Sequence, residues 1–183
     1  MLELKRKLFH LFGVLSLIVP VWFFPYRINL LFFLIALAIN YLVVKRYPPL
    51  LKLFGVFIEH FERKENLSKP GIQSFYLLLG VFLSYLLFQK CAVYGIVTLA
   101  VGDAFSGLVG YYFGKRKLSY NPNKTLEGTL AFFLSSFIAL SLITKPLEAF
   151  IISFLSAFVE SLPLKLDDNL TVPLISSLIA CLL

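Results

Sequence analysis

The chain has 183 residues, of which 59% are hydrophobic and 15% are charged, whereas soluble proteins are typically about 45–50% apolar and about 25% charged. A mean hydropathy of +0.86 and 20 phenylalanines exceed what a soluble domain of this size buries, which excludes the soluble and disordered classes. A net charge of +7 is common in nucleic-acid-binding proteins, but this composition favours a lipid bilayer as the partner and no nucleic acid.

A mass of 20.8 kDa leaves room for one domain, which we place over residues 1–183. Two cysteines without a C-x-x-C pair exclude a disulfide scaffold and a thiolate zinc site. Because about 20 residues, and as few as about 17, cross the bilayer core, we predict an all-α integral membrane protein with seven transmembrane helices. The predicted spans are 8–24, 28–44, 72–88, 91–113, 128–144, 147–162 and 170–183.

The last two spans are short, so they are either tilted, re-entrant or buried against their neighbours. Between the second and third spans, seven apolar residues recur at helical spacing, with charged residues between them. They are Leu50, Leu51, Leu53, Phe54, Phe57, Ile58 and Phe61. This pattern predicts an amphipathic helix in the membrane interface, either with a role at the substrate or as a simple cytoplasmic cap.

Lysine and arginine residues set the predicted orientation. With seven spans, 14 of the 17 basic residues fall on the side of the N-terminus and three on the opposite side. Because cytoplasmic loops carry the excess of basic residues, the N-terminus is predicted to be cytoplasmic and the C-terminus external.

Asp103 lies inside the fourth span, where a carboxylate costs several kcal/mol unless it faces water, a cation or a polar partner. At 100° per residue, Gly107, Gly110 and Gly114 share a narrow stripe with Asp103. Such a stripe is either a packing face for a neighbouring helix or a place where a phosphate and its Mg²⁺ approach the backbone closely.

The loop after this span carries a basic run at 115–117, then Lys124, Thr125 and Glu127. The basic run is explained either by orientation or by binding to an anion. Thr125 is a candidate N-cap of the fifth span, and Glu127 lies in its first turn, where the helix dipole favours an anion.

Polar residues also follow the sixth span and precede the first. Glu160 is followed by Asp167, Asp168, Asn169 and Thr171, an oxygen-rich set that suits Mg²⁺ or caps the last helix. At the N-terminus, one helical face carries three more polar residues, Glu3, Lys7 and His10. All these groups map to the predicted cytoplasmic side, which indicates one polar site there.

Four blocks carry a family resemblance, and they appear in order as ELKRKLFH at 3–10, GDAFSGLVG at 102–110 with Gly114 and Lys115, KTLEGTLA at 124–131, and VE at 159–160 through DDNLTVP at 167–173. Together they resemble the CTP-dependent polyprenol kinase family, which includes dolichol, phytol and farnesol kinases and CTP-dependent diacylglycerol kinase. The likeness to phosphatidate cytidylyltransferase is more distant. Thr125 stands where the family pattern has Ser, which keeps the hydroxyl.

The resemblance implies CTP as the phosphate donor, Mg²⁺ as the cofactor and an isoprenoid lipid alcohol in the membrane as the acceptor. It implies an integral protein of an inner, plasma or ER-type membrane with its active site facing the cytoplasm; a homo-oligomer is left open. The sequence has no P-loop and no protein-kinase signature, so an ordinary ATP-binding fold is not expected.

The resemblance also implies a role for each matched residue. Asp103 binds Mg²⁺ or acts as base toward the lipid hydroxyl, with Asp167 and Asp168 completing the metal site. Lys124 and Glu127 act with Asp103 in catalysis; alternatively Glu127, like Glu160 and Asn169, supports the site residues or contacts the nucleoside. The nucleotide-binding residues are expected to be Arg6, Lys7, Gly107, Gly110, Lys115, Lys124, Asn169 and Thr171. The residues expected to position these groups without contacting the substrates themselves are Glu3, His10 and Glu160.

Three other functions compete with a kinase. A cytidylyltransferase would make a CDP-lipid from the same nucleotide. A transporter or channel predicts polar residues through to the external side, where the seven-span topology places only Arg27, Lys90, Lys145 and Glu148 as charged residues. A purely structural membrane protein leaves Asp103 without a reason to be in the membrane.

Overall fold

In the computed structural model, the described residues 2–62 and 67–183 form a helical bundle with one small β-hairpin. The helices are α1 (Leu2–Ser16), α2 (Ile18–Phe23), α3 (Tyr26–Val44), α4 (Pro48–Phe61), α5 (Ile72–Phe88), α6 (Ala92–Val97), α7 (Ala104–Phe113), α8 (Leu126–Ser141), α9 (Pro146–Ser161) and α10 (Asp168–Leu182). The strands are β1 (Lys117–Leu118) and β2 (Asn121–Thr125).

Helices occur at each of the seven predicted spans, which confirms the all-α membrane class. Among the described residues, three stretches are long and apolar enough to cross a bilayer: Glu3–Phe23, Tyr26–Val44 and Ile72–Phe113. The third stretch is 42 residues long and contains two of the predicted spans. The apolar helices α8 and α10 are shorter, so the count of seven spans and their orientation stay predictions.

The amphipathic segment after α3 is helical, as its spacing predicts, and forms α4. Two of its aromatic rings contact Phe9 of α1, with ring centroids separated by 4.4 Å for Phe61 and 6.1 Å for Phe57. The Glu62 carboxylate accepts a hydrogen bond of 2.7 Å from the Gly71 backbone, just before α5. Helix α4 therefore extends from the end of α3 across α1 towards the start of α5.

The β-hairpin corrects the prediction of a plain loop between the fourth and fifth spans. Strand β1 pairs with β2 in antiparallel register, with Lys117 opposite Thr125. The amide of Asn121 donates a hydrogen bond of 2.9 Å to the Ser161 carbonyl, which holds the hairpin against the end of α9. Thr125 caps α8 as predicted, because its hydroxyl accepts a hydrogen bond of 3.1 Å from the Gly128 backbone.

Helix α10 packs tightly in the middle of the bundle, against α5, α6 and α9. A Cβ at Gly95 of α6 would overlap the Pro173 carbonyl oxygen, so only glycine permits this approach. The buried hydroxyls of Ser156 and Ser176 lie 2.7 Å apart across α9 and α10. Small side chains and serine hydrogen bonds are typical of helix packing in membranes.

The two cysteines form a disulfide between Cys91 and Cys181, with Cα atoms 5.8 Å apart. Two cysteines are too few for a multi-bridge scaffold, and nothing in the sequence predicts this single bridge, which joins residues 90 positions apart. At the other end of the same two helices, Asn169 donates a hydrogen bond of 2.9 Å to Gln73. Helices α5 and α10 therefore run parallel and are linked at both ends.

Candidate functional site

A cavity of about 1370 Å³ opens at the end of the bundle where α5 and α10 begin. Residues from all four sequence blocks line it, although the blocks are far apart in the chain. The predicted site residues among its lining are Arg6, Lys7, His10, Asp103, Gly107, Gly110, Lys124, Glu160, Asp167, Asp168 and Asn169. The convergence expected from the sequence is therefore present in the structure.

Asp103 is positioned at a local change in helix geometry. Residues Thr98–Asp103 form a π-helical turn between α6 and α7, a feature that is rare and often found at functional sites. The Asp103 carboxylate accepts a hydrogen bond of 2.7 Å from the Lys7 ammonium and lies 3.3 Å from His10 Nε2. Both partners come from α1, so this cluster joins α1 to α7.

Gly107 makes the contact between Lys7 and Asp103 possible. A Cβ at this position would overlap the Cε and Nζ atoms of Lys7. The sequence suggested that this glycine lets a nucleotide phosphate approach, but in the structure it makes room for a lysine side chain. Gly110, one turn further along α7, packs near Gly128 of α8, as expected for the packing alternative.

Lys124 forms a second charged cluster at the end of β2. Its ammonium donates hydrogen bonds to Glu160 of α9 and, at 2.6 Å, to Asp168 of α10. Burial disfavours the charged form of Lys124, but the carboxylates of Glu160 and Asp168 outweigh it and raise the pKa of Lys124 above its ordinary value. Lys124 therefore stays protonated and positively charged at neutral pH.

Glu160 is the most buried carboxylate of the site, with 2% of its surface exposed. One carboxylate oxygen contacts Lys124 and accepts a hydrogen bond of 3.4 Å from the Ser106 hydroxyl. Its other oxygen, Oε2, is buried without a hydrogen-bond partner. Buried polar groups are normally hydrogen-bonded, so this oxygen is an exception within the site.

Asp167 caps α10, because its side chain accepts a hydrogen bond of 2.9 Å from the Asn169 backbone. Burial raises the pKa of the Asp167 carboxyl above its usual range. Within residues 2–62 and 67–183, no group of three or more His, Cys, Asp or Glu side chains is arranged to hold a metal ion. In this structure, Asp103 and Asp168 are instead paired with lysines.

Comparison with known proteins identifies relatives along nearly the whole chain. An uncharacterised protein of Methanocaldococcus jannaschii is 33% identical over 188 residues, which cover 98% of this chain and 93% of that protein. Farnesol kinase of Arabidopsis thaliana is 32% identical over 143 residues, and dolichol kinase of Saccharomyces cerevisiae is 32% identical over 146. The chain belongs to the polyprenol kinase family.

The shared region is only part of these larger polyprenol kinases. The matches cover 68% and 75% of this chain, but 45% of the farnesol kinase and 27% of the dolichol kinase. The chain thus spans less than half the length of these two relatives. No family model and no solved structure matches the chain.

Four residues that the polyprenol kinase resemblance assigned to the site do not line the cavity: Glu3, Lys115, Glu127 and Thr171. Glu127 accepts hydrogen bonds from the backbones of Lys115 and Arg116, so it orders the loop that follows α7. Glu3 accepts a hydrogen bond of 2.8 Å from Arg6. Thr171 lies one turn into α10, with its hydroxyl 3.4 Å from the Asp167 carbonyl.

Several residues that line the cavity were not predicted as site residues. They include Ser106, Lys117, Asn121 and Asn123. Lys117 and the two asparagines lie on the β-hairpin. They could have been predicted as cavity residues only if the hairpin itself had been predicted. Ser106 lies within the block that contains Asp103, three residues further along, where helical spacing places it near the same face.

Proposed function

We propose that this protein is a CTP-dependent kinase that transfers a phosphoryl group to the hydroxyl of an isoprenoid lipid alcohol. The observation that carries the proposal is the meeting of two lysine–carboxylate clusters, Lys7 with Asp103 and Lys124 with Glu160 and Asp168, in one cavity. Relatives named farnesol kinase and dolichol kinase support the choice of acceptor. The predicted orientation puts this reaction on the cytoplasmic face.

The cations of the cavity account for nucleotide binding. Arg6, Lys7, Lys117 and Lys124 all line it, and lysine and arginine are the usual ligands of a polyphosphate. In phosphoryl transfer the protein mainly neutralises charge and positions the reactants. These four side chains supply that positive charge without a nucleotide-binding domain.

Asp103 accepts the proton of the lipid hydroxyl during transfer. The hydroxyl oxygen forms a bond to the γ-phosphorus while the bond from that phosphorus to the β,γ-bridging oxygen breaks, which yields a lipid monophosphate and CDP. Lys7 lies 2.7 Å from the Asp103 carboxylate and is placed to contact the transferred group as well. Lys124 stabilises the negative charge that grows on the departing diphosphate.

The carboxylates also fit a magnesium ion bound together with the nucleotide. Mg²⁺ takes oxygen ligands and usually binds through one or two carboxylates plus substrate phosphates, so no ready-made cage is required. Asp167 and Asp168, which both line the cavity, would hold it. Bound there, Mg²⁺ would neutralise charge on the phosphate oxygens.

Asp103→Asn tests the role of Asp103 in catalysis. Asparagine keeps the size of the side chain but cannot take a proton, so activity should fall by about 10²–10⁴-fold, the range for general-base catalysis. Phosphorylation of geranylgeraniol by purified protein in detergent measures the effect, with chromatographic profile and thermal unfolding as checks of the fold. The matched control is Glu148→Gln at the far end of the bundle, where Glu148 pairs with Thr144 and Lys145. Full activity of Asp103→Asn removes Asp103 from this role.

A second experiment decides among the related enzymes. Purified protein is incubated with γ-labelled CTP or ATP and a panel of farnesol, phytol, geranylgeraniol, dolichol, diacylglycerol and phosphatidate, and the product masses are measured. The proposal expects a labelled lipid monophosphate from CTP and an isoprenoid alcohol. A CDP-lipid would establish a cytidylyltransferase instead, and a product from diacylglycerol alone would establish a diacylglycerol kinase.

A further inference from the structure

The cavity does not end at its charged clusters. Beyond His10 its walls become apolar and continue along α1, α3 and α5. The apolar wall residues on these helices include Val14, Ala36, Ile39, Leu77 and Leu78, and Leu17 adds to the wall just past the end of α1. One continuous cavity therefore has a charged end and an apolar compartment.

The apolar compartment lies between α1 on one side and the packed pair of α3 and α5 on the other. Among the described residues, α1 packs on α7 and α3 packs on α5, whereas α1 forms no close packing with α3 or α5. From His10 to Leu17 the wall along α1 and just past its end is seven residues long, about 10 Å at the helical rise of 1.5 Å per residue. That depth is about a third of the hydrocarbon core of a bilayer.

Helix α4 covers this compartment where it meets the charged end. Phe54, Phe57, Ile58 and Phe61 line the cavity from α4, and the Phe61 ring stacks on Phe9 of α1. The apolar face of the amphipathic helix α4 is thus turned towards the cavity. Its apolar side chains shield the compartment from water at the level of the charged clusters.

We propose that the apolar compartment binds the isoprenoid chain of the acceptor alcohol, and that Gly13 sets how much of the chain it accommodates; this inference rests on the proposed kinase function. The cavity exceeds the roughly 300–1,000 Å³ of a site for one small molecule, so it has room for a nucleotide and a lipid chain together. An alcohol that enters along one leaflet presents its hydroxyl at Asp103 with its chain among apolar walls.

Gly13 provides a direct test because it lines the cavity and an added Cβ would meet nothing within 4 Å. A side chain added at this position therefore starts in open space at the cavity wall, and a phenylalanine ring is large enough to fill part of the compartment. It does not weaken α1, since glycine is a poor helix former. Gly55 of α4 is the matched control, because it is also a helical glycine with open surroundings and lies outside the cavity lining.

The kinetic experiment compares Gly13→Phe with Gly55→Phe on farnesol and on the longer geranylgeraniol, with CTP as donor. For Gly13→Phe we expect kcat/KM for geranylgeraniol to fall by about tenfold or more, the scale for a filled hydrophobic pocket. The loss for farnesol should be smaller, and the KM for CTP should stay unchanged. Equal losses for both alcohols, or a loss shared by Gly55→Phe, overturn the proposal.

A binding experiment separates this proposal from the proposed function. A geranylgeraniol analogue with a diazirine at its chain end is photolysed with the full-length protein in detergent, and labelled peptides are mapped by mass spectrometry. We expect label on α1 and α3 near Leu17 and Ala36, lost in Gly13→Phe and kept in Gly55→Phe. Label on the outer surface that is unchanged by Gly13→Phe overturns the tail site. Site-specific label on a protein that phosphorylates no alcohol would overturn the kinase function alone.

Discussion

At the scale of single residues, the Lys124 ammonium contacts two carboxylates from different helices, Glu160 of α9 and Asp168 of α10. Glu160 is almost completely buried. A carboxylate in such a place is tolerated only while a cation compensates its charge, because an isolated buried charge is strongly unfavourable. Lys124 therefore stabilises the fold as well as serving the proposed reaction.

Lys124→Met should destabilise the protein by roughly 3–5 kcal/mol, the effect of leaving a buried carboxylate without its partner. Adding Glu160→Gln removes the uncompensated charge, so the double variant should be more stable than Lys124→Met alone. Thermal unfolding in detergent measures both changes. A double variant that is no more stable than the single one would show that Glu160 is not the group Lys124 compensates. Neither variant should phosphorylate lipid, since the proposed phosphate contact is missing in both.

At the scale of helices, the contact between α1 and α7 depends on Gly107. The absence of a Cβ lets the Lys7 side chain lie across α7 and reach Asp103. The end of a lysine chain is flexible, so a methyl group at this position displaces Lys7 rather than the helix backbone. A methyl group at Gly107 is therefore expected to affect activity more than the stability of the fold.

Gly107→Ala should lower kcat/KM by roughly ten- to hundredfold, because small displacements of a positioning group have effects of this size. The melting temperature should change little, since only the end of one side chain moves. The kinase assay and thermal unfolding are run side by side, with Gly55→Ala as a control in open surroundings. Unchanged activity would mean that the contact between Lys7 and Asp103 is not required for the reaction.

Local patterns in the sequence predicted most of the helices, but not their irregularities. Hydropathy placed α3, α5 and α8 near their observed bounds, and residue type identified Thr125 as an N-cap. The π-helical turn at Thr98–Asp103 was not predicted, because the spacing of apolar residues does not specify such a rare turn. The hairpin was missed because its strands are only two and five residues long.

At the scale of the whole molecule, the predicted topology brought the polar residues to one end without saying which would pair. Lys7 and Asp103 are 96 positions apart, and Lys124 and Asp168 are 44 apart. Such pairs depend on helix packing that a single sequence does not specify. The same holds for Cys91 and Cys181, whose pairing needs α5 and α10 to run parallel.

The disulfide closes a large loop at the end of the bundle away from the charged clusters. Cys181→Ser should lower stability by about 2–4 kcal/mol, the usual contribution of such a bridge, with little change in activity well below the melting temperature. Thermal unfolding with and without reductant measures the effect, and reductant should destabilise the unaltered protein but not Cys181→Ser. Equal melting temperatures under all conditions would show that the bridge does not contribute.

The first long helices of the chain are less buried than the stretch from α5 to α7. Of the most apolar stretch of Glu3–Phe23, 17% is buried, against 33% for Ile72–Phe113, and the disulfide and the close α10 packing belong to the more buried part. The apolar compartment lies between α1 and the packed pair of α3 and α5. The ion pair between Lys7 and Asp103 holds α1, one wall of the apolar compartment, against the start of α7. The shape of the compartment and the charge arrangement of the proposed reaction therefore depend on the same contact.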